Sequence, residues 1–303
     1  MRSLSPKTCW NKFSGLYYGV NQGPLTHDPA AVAVEVQRLY QRMYPDAGSF
    51  FVPQVFGWAI DSFTGYFQDY QPIDTGYHDF EHTLQGTLCM ARILYGRHKA
   101  EVKPVLARNY FELGLLGILL HDTGYLKQWD DTHGTGAKYT TTHVTRSVEF
   151  AGKLLTAKKF NRDQIRTVQN MIQCTGIDAL LHEIPFQNEQ EKVVGCALGT
   201  ADLVGQMAAE DYVQKLPVLY AEFAEAAVHD DDETHFIRMF SSANDLMEKT
   251  PTFWEKFVLQ KLNNEFGEMY RFLNSPYPDG PNFYFDRIQA NLKQLSRKSP
   301  AKV

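Results

Sequence analysis

Apolar residues recur at three- and four-residue intervals along most of this chain. Nowhere do apolar and polar side chains alternate for long enough to suggest a strand. Such a chain buries its apolar stripes by packing helix against helix. Val32, Val36, Leu39 and Tyr40 make one stripe, behind Asp28 as a cap and Pro29 at the first helical position. Further helices are predicted over 80–97, 105–121, 142–155 and 188–207. Another starts at Asn161, where Gln164 completes a capping-box pattern. The last third is expected to add helical segments over 217–228, 234–247, 253–273 and 285–295. Residues 45–76, rich in proline, glycine and aromatics, read as short helices and packed loops, and 127–142 as a loop. No proline- and glycine-rich linker divides the chain and no internal repeat is found. The expectation is one all-α domain over 1–303, with N- and C-terminal helical extensions around a motif-bearing core at about 75–210.

Four polar residues stand at costly positions in this pattern. The run Leu115, Leu116, Gly117, Ile118, Leu119, Leu120 leads straight into His121 and Asp122. Placing an imidazole and a carboxylate at the end of an apolar helix is unfavourable unless something satisfies both. The helix dipole favours a histidine at that end but disfavours the aspartate. Asp202 lies among Leu198, Gly199, Thr200, Ala201, Leu203 and Val204. A carboxylate buried there needs a cation, either a metal ion or a lysine or arginine from elsewhere. Gly199, Ala201 and Gly205 are small enough to let a neighbouring helix come close.

His78 and His82 are four residues apart. On a helix they would share a face, with Cβ atoms about 5–6 Å apart. Both could then bind one ion, or one could bind it while the other faces a substrate. A pair of exposed histidines at a helix start has the same spacing. His143 opens another helix, either as a further ligand or as a solvated helix-start residue. Cys174 reads as a buried, inert thiol, and His133 and His182 as surface residues. Tyr220, Phe223, Phe236, Phe240, Trp254 and Phe257 follow helical spacing, as a core stripe or as a wall on which a base could stack. Gln206 and Gln260 are candidates for reading a purine edge.

Composition removes several classes of function. A net charge of −5 gives no cationic field for a nucleic-acid backbone. No run approaches the roughly 18 apolar residues of a membrane span, and Met1 to Trp10 lacks the apolar block of a secretory signal. Cys9, Cys89, Cys174 and Cys196 form no CxxC pair, which suits a reducing cytosol. A cytoplasmic protein with neither nucleic-acid nor membrane partners is expected.

Taken together, Tyr77-His78-x-x-x-His82, His121-Asp122 and Thr200-Ala201-Asp202 resemble the HD-domain superfamily of metal-dependent phosphohydrolases. Among its branches they look most like the class I cyclic-nucleotide phosphodiesterases. The resemblance covers about residues 75–210. It implies an all-α helical bundle in which His82, His121, Asp122 and Asp202 bind one divalent ion (Zn, Mn, Mg or Fe). Asp122 would bridge to a second ion and His78 would protonate the leaving sugar oxygen. Other branches of the superfamily place a further ligand near His143. Hydrolysis of a 3′,5′-cyclic nucleotide is the activity implied, with a small nucleotide as substrate and the oligomeric state left open, a homodimer included. The physical chemistry agrees: divalent ions lower the pKa of water and clamp phosphoryl oxygens, and an imidazole suits the proton donor. Asp79 or Glu81 could orient a histidine. Two departures stand out. Asp79 occupies the usual position of an asparagine, and Tyr125 that of a later histidine, with no Pro-Gly after it. Two other readings of the same ligands are a di-iron oxygenase, as in myo-inositol oxygenase and its relatives, and a non-catalytic nucleotide-sensing module.

Overall fold

Asp28 accepts a hydrogen bond from the Ala30 amide, and Pro29 follows as the first residue of α1 (Pro29–Met43). The computed structural model describes residues 26–67, 69–230 and 236–298, and its regular structure is helical throughout. The one β feature among them is an isolated bridge between Tyr70 and Gln128. The expectations for Met1 to Trp10 and Cys9 lie outside the described residues. No helix among those described is long and apolar enough to cross a membrane.

The stretch after α1 is more regular than its composition suggests: α2 runs Phe51–Phe63. Then come α3 (Phe80–Lys99), α4 (Arg108–Leu120), α5 (His143–Ala157), α6 (Arg162–Gln173) and α7 (Glu189–Met207). The capping box at Asn161 and Gln164 is formed in full. Between α4 and α5 lie short 3₁₀ turns at Thr123–Tyr125 and Gly136–Tyr139.

The last third departs most from the pattern. α8 spans Tyr212–His229, so Pro217 sits inside it and not at its start. The segment expected over 234–247 splits, and its first two residues lie outside the described set. A 3₁₀ turn covers Phe236–Met239, and α9 runs Ala243–Phe253. Pro251 withholds a backbone donor near the end of α9, and a π turn follows at Trp254–Val258 before α10 (Leu259–Asn264). Gly267, with φ of 60°, then reverses the chain. The chain goes on through a 3₁₀ turn at Met269–Leu273 to α11 (Phe283–Lys298).

Buried side chains from Val32 to Leu295 form one continuous hydrophobic core. Helices α3 and α7 lie at its centre, against one another and against α4. They meet nearly backbone to backbone: a Cβ on Gly205 would lie 3.0 Å from the Gln85 carbonyl oxygen and 3.1 Å from the Gly86 nitrogen. This is the close approach that the small residues around Asp202 suggested. It brings the first turn of α3 and the last turns of α7 to the same end of the bundle, where α4 also stops.

Candidate metal centre

His121 is the C-cap of α4, and Asp122 leaves the helix with φ of −105° and ψ of 7°. The turn is locked from several sides. Thr123 Oγ1 donates to the Leu120 carbonyl at 2.7 Å, Ser147 Oγ accepts from the Gly124 amide at 2.8 Å, and Arg146 Nε donates to the Gly124 carbonyl at 2.6 Å. Gly124 is required for space. A Cβ there would lie 1.9 Å from the His143 carbonyl oxygen, so the first turn of α5 rests directly on the turn that carries Asp122.

Four buried side chains converge at this end. His82 Nε2 is 3.2 Å from Asp122 Oδ2 and 3.2 Å from Asp202 Oδ1. His121 Nε2 is 3.3 Å from the same two oxygens. These are ionic distances without hydrogen-bond geometry: His121 Nε2 and Asp122 Oδ2 are buried and have no hydrogen-bond partner in the protein. Buried polar atoms left in this way are rare and ask for an explanation.

A metal ion supplies one. Ligand bonds of about 2.0–2.2 Å at cis or tetrahedral angles separate neighbouring donors by roughly 3.0–3.5 Å, which matches the four contacts. The tautomer of His121 fits too. Its Nδ1 lies 2.7 Å from the Ile118 carbonyl, so Nδ1–H donates and the Nε2 lone pair faces the cluster, as is usual for ligating histidines. His82, His121 and Asp122 alone bring donor atoms within 4.8 Å of one another, and the group can hold a metal ion. With protons in place of an ion, burial opposes charge on His82. The two carboxylates outweigh burial and push the imidazole up to about 10. Burial likewise opposes ionisation of Asp122 and Asp202, but the two histidines hold both carboxyls far below the usual range.

His78 stands beside the cluster and outside α3, because Asp79 caps that helix by accepting from the His82 amide at 2.8 Å. The two histidines therefore do not share a helical face, yet their rings lie 5.4 Å apart at an interplanar angle of 73°. His78 Nδ1 is 2.6 Å from Glu222 Oε2, and Glu222 Oε1 accepts from the Tyr77 amide at 2.6 Å. Burial pushes the Glu222 carboxyl up, but His78 and these main-chain donors more than offset it and hold it below its ordinary value. Glu222 is thus the orienting carboxylate, not Asp79 or Glu81. Asp79 caps α3 and pairs with Lys215 at 3.1 Å, while Glu81 accepts from Thr26 at 3.1 Å. Sequence reasoning missed Glu222, whose one signal is that it falls on the inward side of α8 with Phe223 and Ala226.

His143 faces the same cavity but lies apart from the four donors. Its ring stacks on Tyr125 at 4.7 Å, and Tyr125 stacks on His78 at 4.5 Å. His143 Nδ1 lies 2.6 Å from the Thr140 carbonyl, and burial holds this imidazole below its ordinary pKa. Nδ1–H therefore donates to the carbonyl, leaving Nε2 with a free lone pair. Tyr125 is fully buried and its hydroxyl pKa is pushed well up by that burial. Cys174 is a buried thiol, raised by burial and donating weakly to the Asn170 carbonyl, while His133 and His182 are exposed, all as expected.

The site opens into a cavity of ≈ 550 Å³. Its inner wall comes from α7, α8, α9 and the π turn. Phe223, Phe236, Phe240 and Phe257 line it, whereas Trp254 packs on Phe285 and Tyr220 donates to the Ser241 carbonyl. Of the two glutamines singled out in the sequence, Gln206 lines the cavity and Gln260 does not. The Gln206 oxygen accepts from Tyr77 at 2.8 Å and its nitrogen donates to the Asp202 carbonyl at 3.1 Å, while Gln260 is exposed.

A family model described as Npun_R2479-like matches residues 30–270, most of the chain and the whole of this site. No curated protein matches the sequence.

Proposed function

The chain belongs to the Npun_R2479-like family, and we propose that it is a metal-dependent hydrolase of phosphoesters, of the HD-domain kind that the motif order resembles. The observation that carries this reading is the convergence of His82, His121, Asp122 and Asp202, with His121 Nε2 and Asp122 Oδ2 lacking hydrogen-bond partners, next to a histidine that a buried carboxylate orients. A bound divalent ion, of Zn, Mn, Mg or Fe type, would lower the pKa of a water and polarise a phosphoryl oxygen. A second ion would share Asp122 and draw on the free lone pair of His143.

The protein's own groups supply the rest. Glu222 accepts from His78 Nδ1–H, so the opposite nitrogen, Nε2, is the one that can hand a proton to a leaving oxygen. Against the opposing effect of burial, the two histidines hold the Asp122 and Asp202 carboxyls well below their usual range, which favours a cation between them. Tyr125 packs against His78 and limits its rotation. The apolar wall excludes water from one side of the reacting phosphorus.

The test is metal analysis of purified protein joined to a hydrolysis screen over cyclic mononucleotides, cyclic dinucleotides, phosphomonoesters and nucleoside triphosphates with Mn²⁺, Mg²⁺ or Zn²⁺. A 3′,5′-cyclic nucleotide is the substrate that the motif resemblance puts first. Metal-loaded protein that hydrolyses no phosphoester would sink the proposal. Iron content with oxygen consumption would point to the oxygenase chemistry of the same superfamily, and tight nucleotide binding without turnover to a sensor.

A further inference from the structure

We propose that the phosphoester turned over here is an ester of a long apolar alcohol, an amphiphile whose tail occupies the chamber beside the cluster. The inference rests on the phosphohydrolase reading and names its substrate class.

The chamber is continuous with the site: His78, His82, Asp122 and Asp202 line one end of it. At ≈ 550 Å³ it is large enough for a drug-sized molecule. Leu216, Leu219, Leu246 and Phe253 also line it, and the Phe253 and Phe257 rings stack at 5.0 Å. Two deep polar side chains of that region are already satisfied within the protein. Thr250 Oγ1 donates to the Leu246 carbonyl at 2.7 Å. Lys261 Nζ donates to the Ile177 and Ala179 carbonyls at 3.1 and 3.2 Å. Gln206, nearer the cluster, is engaged as described. A base needs hydrogen-bond partners along its edge, and each of these groups already commits at least one to the protein's own atoms, whereas an alkyl tail needs none.

Charge points the same way. Lys261 is the one lysine or arginine of the lining among the described residues, and Asp178 and Glu183 are exposed at the rim. A polyphosphate would meet carboxylates there and no arginine fork. One phosphate at the cluster, with an uncharged tail beyond it, meets no such conflict.

The reaction balances with water alone. The water oxygen bonds to phosphorus and the P–O bond to the alcohol breaks. His78 Nε2 gives the alcohol oxygen its proton and recovers one that the water releases, so a monoester yields the alcohol and inorganic phosphate.

The experiment uses two matched series, n-alkyl phosphates and n-alkyl methyl phosphates from ethyl to tetradecyl, with full-length metal-loaded protein. If the tail enters the chamber, kcat/KM rises about three- to fourfold per added methylene until the chamber is full. Phe253→Glu, or Leu219→Gln where the first does not fold, then flattens the series while the protein keeps its metal. A flat or falling series with turnover of cyclic nucleotides overturns the inference and leaves the phosphohydrolase reading intact. No turnover of any phosphoester overturns that reading. The same series is then measured by calorimetry as ligands: affinity that climbs with tail length keeps the amphiphile site, and affinity that ignores it removes that too.

Discussion

The two ends of the cavity are built on opposite principles. At one end α3, α4 and α7 bring charged groups into a buried interior and leave two of their donor atoms, His121 Nε2 and Asp122 Oδ2, without hydrogen bonds. At the other, α8, α9 and the π turn present aromatic and aliphatic surface and tie polar side chains to their own backbone. The first end spends folding free energy to hold unsatisfied groups in place, while the second leaves apolar surface unburied. Buried charge and unfilled apolar surface seldom stand side by side, and their adjacency is what makes this cavity the candidate site.

The sharpest way to break the comparison is Asp122→Ala. It should reduce both metal content and hydrolysis to background, measured by elemental analysis and turnover on one sample. Retained metal would mean that the cluster is an ion-pair network. His78→Asn should lower kcat by about 10²–10⁴-fold at unchanged metal content, which separates the proton donor from the ligands. Glu222→Gln should cost about 10- to 100-fold, as loss of an orienting partner usually does, and should alter the pH profile of kcat. A loss confined to stability, with that profile unmoved, would demote Glu222 to a structural role. On the apolar side, Leu246→Ala should lower stability by about 2–5 kcal/mol and leave the metal content alone.

A further effect is in pH dependence. In chelated protein the two carboxylates, against the opposing effect of burial, raise the His82 pKa from 6.5 to about 10. A folded-state pKa above the unfolded one stabilises fully below about pH 6.5. That stabilisation fades as pH climbs through about 10. Metal displaces the same proton, so its affinity should climb over that window. Thermal denaturation from pH 6 to 10 should therefore show stability falling with pH in chelator and staying nearly level with saturating metal, because the gain in metal affinity cancels the loss of the protonated pair. Parallel slopes would detach His82 from the ion.

The two ends were also unequally legible in the sequence. His121, Asp122 and Asp202 stood out because each interrupts an apolar run, and a polar residue there needs a partner wherever the chain goes. His82 and His78 were placed by their spacing, although a helix cap puts His78 off the helix that the spacing suggested. Glu222 gave no such signal. α8 carries Glu222 and Glu225 three residues apart; one holds His78 and Tyr77, the other accepts from Thr135. Either would read as a solvent-facing helix residue. The chamber was equally hidden, because phenylalanines at helical spacing look alike whether they fill a core or wall a cavity. Phe257 and Trp254 belong to the same turn, and only one of them lines the space.

The bare contact between α3 and α7 also bears on how the candidate ligands are spaced. His82 lies one turn from Gly86, and Asp202 lies three residues from Gly205, so the missing side chains fix how far apart these two ligands stand. Donors 3.2–3.3 Å apart match bonds of about 2.0–2.2 Å, and a Cβ at Gly205, by wedging the two backbones apart, would separate His82 from Asp202 as well.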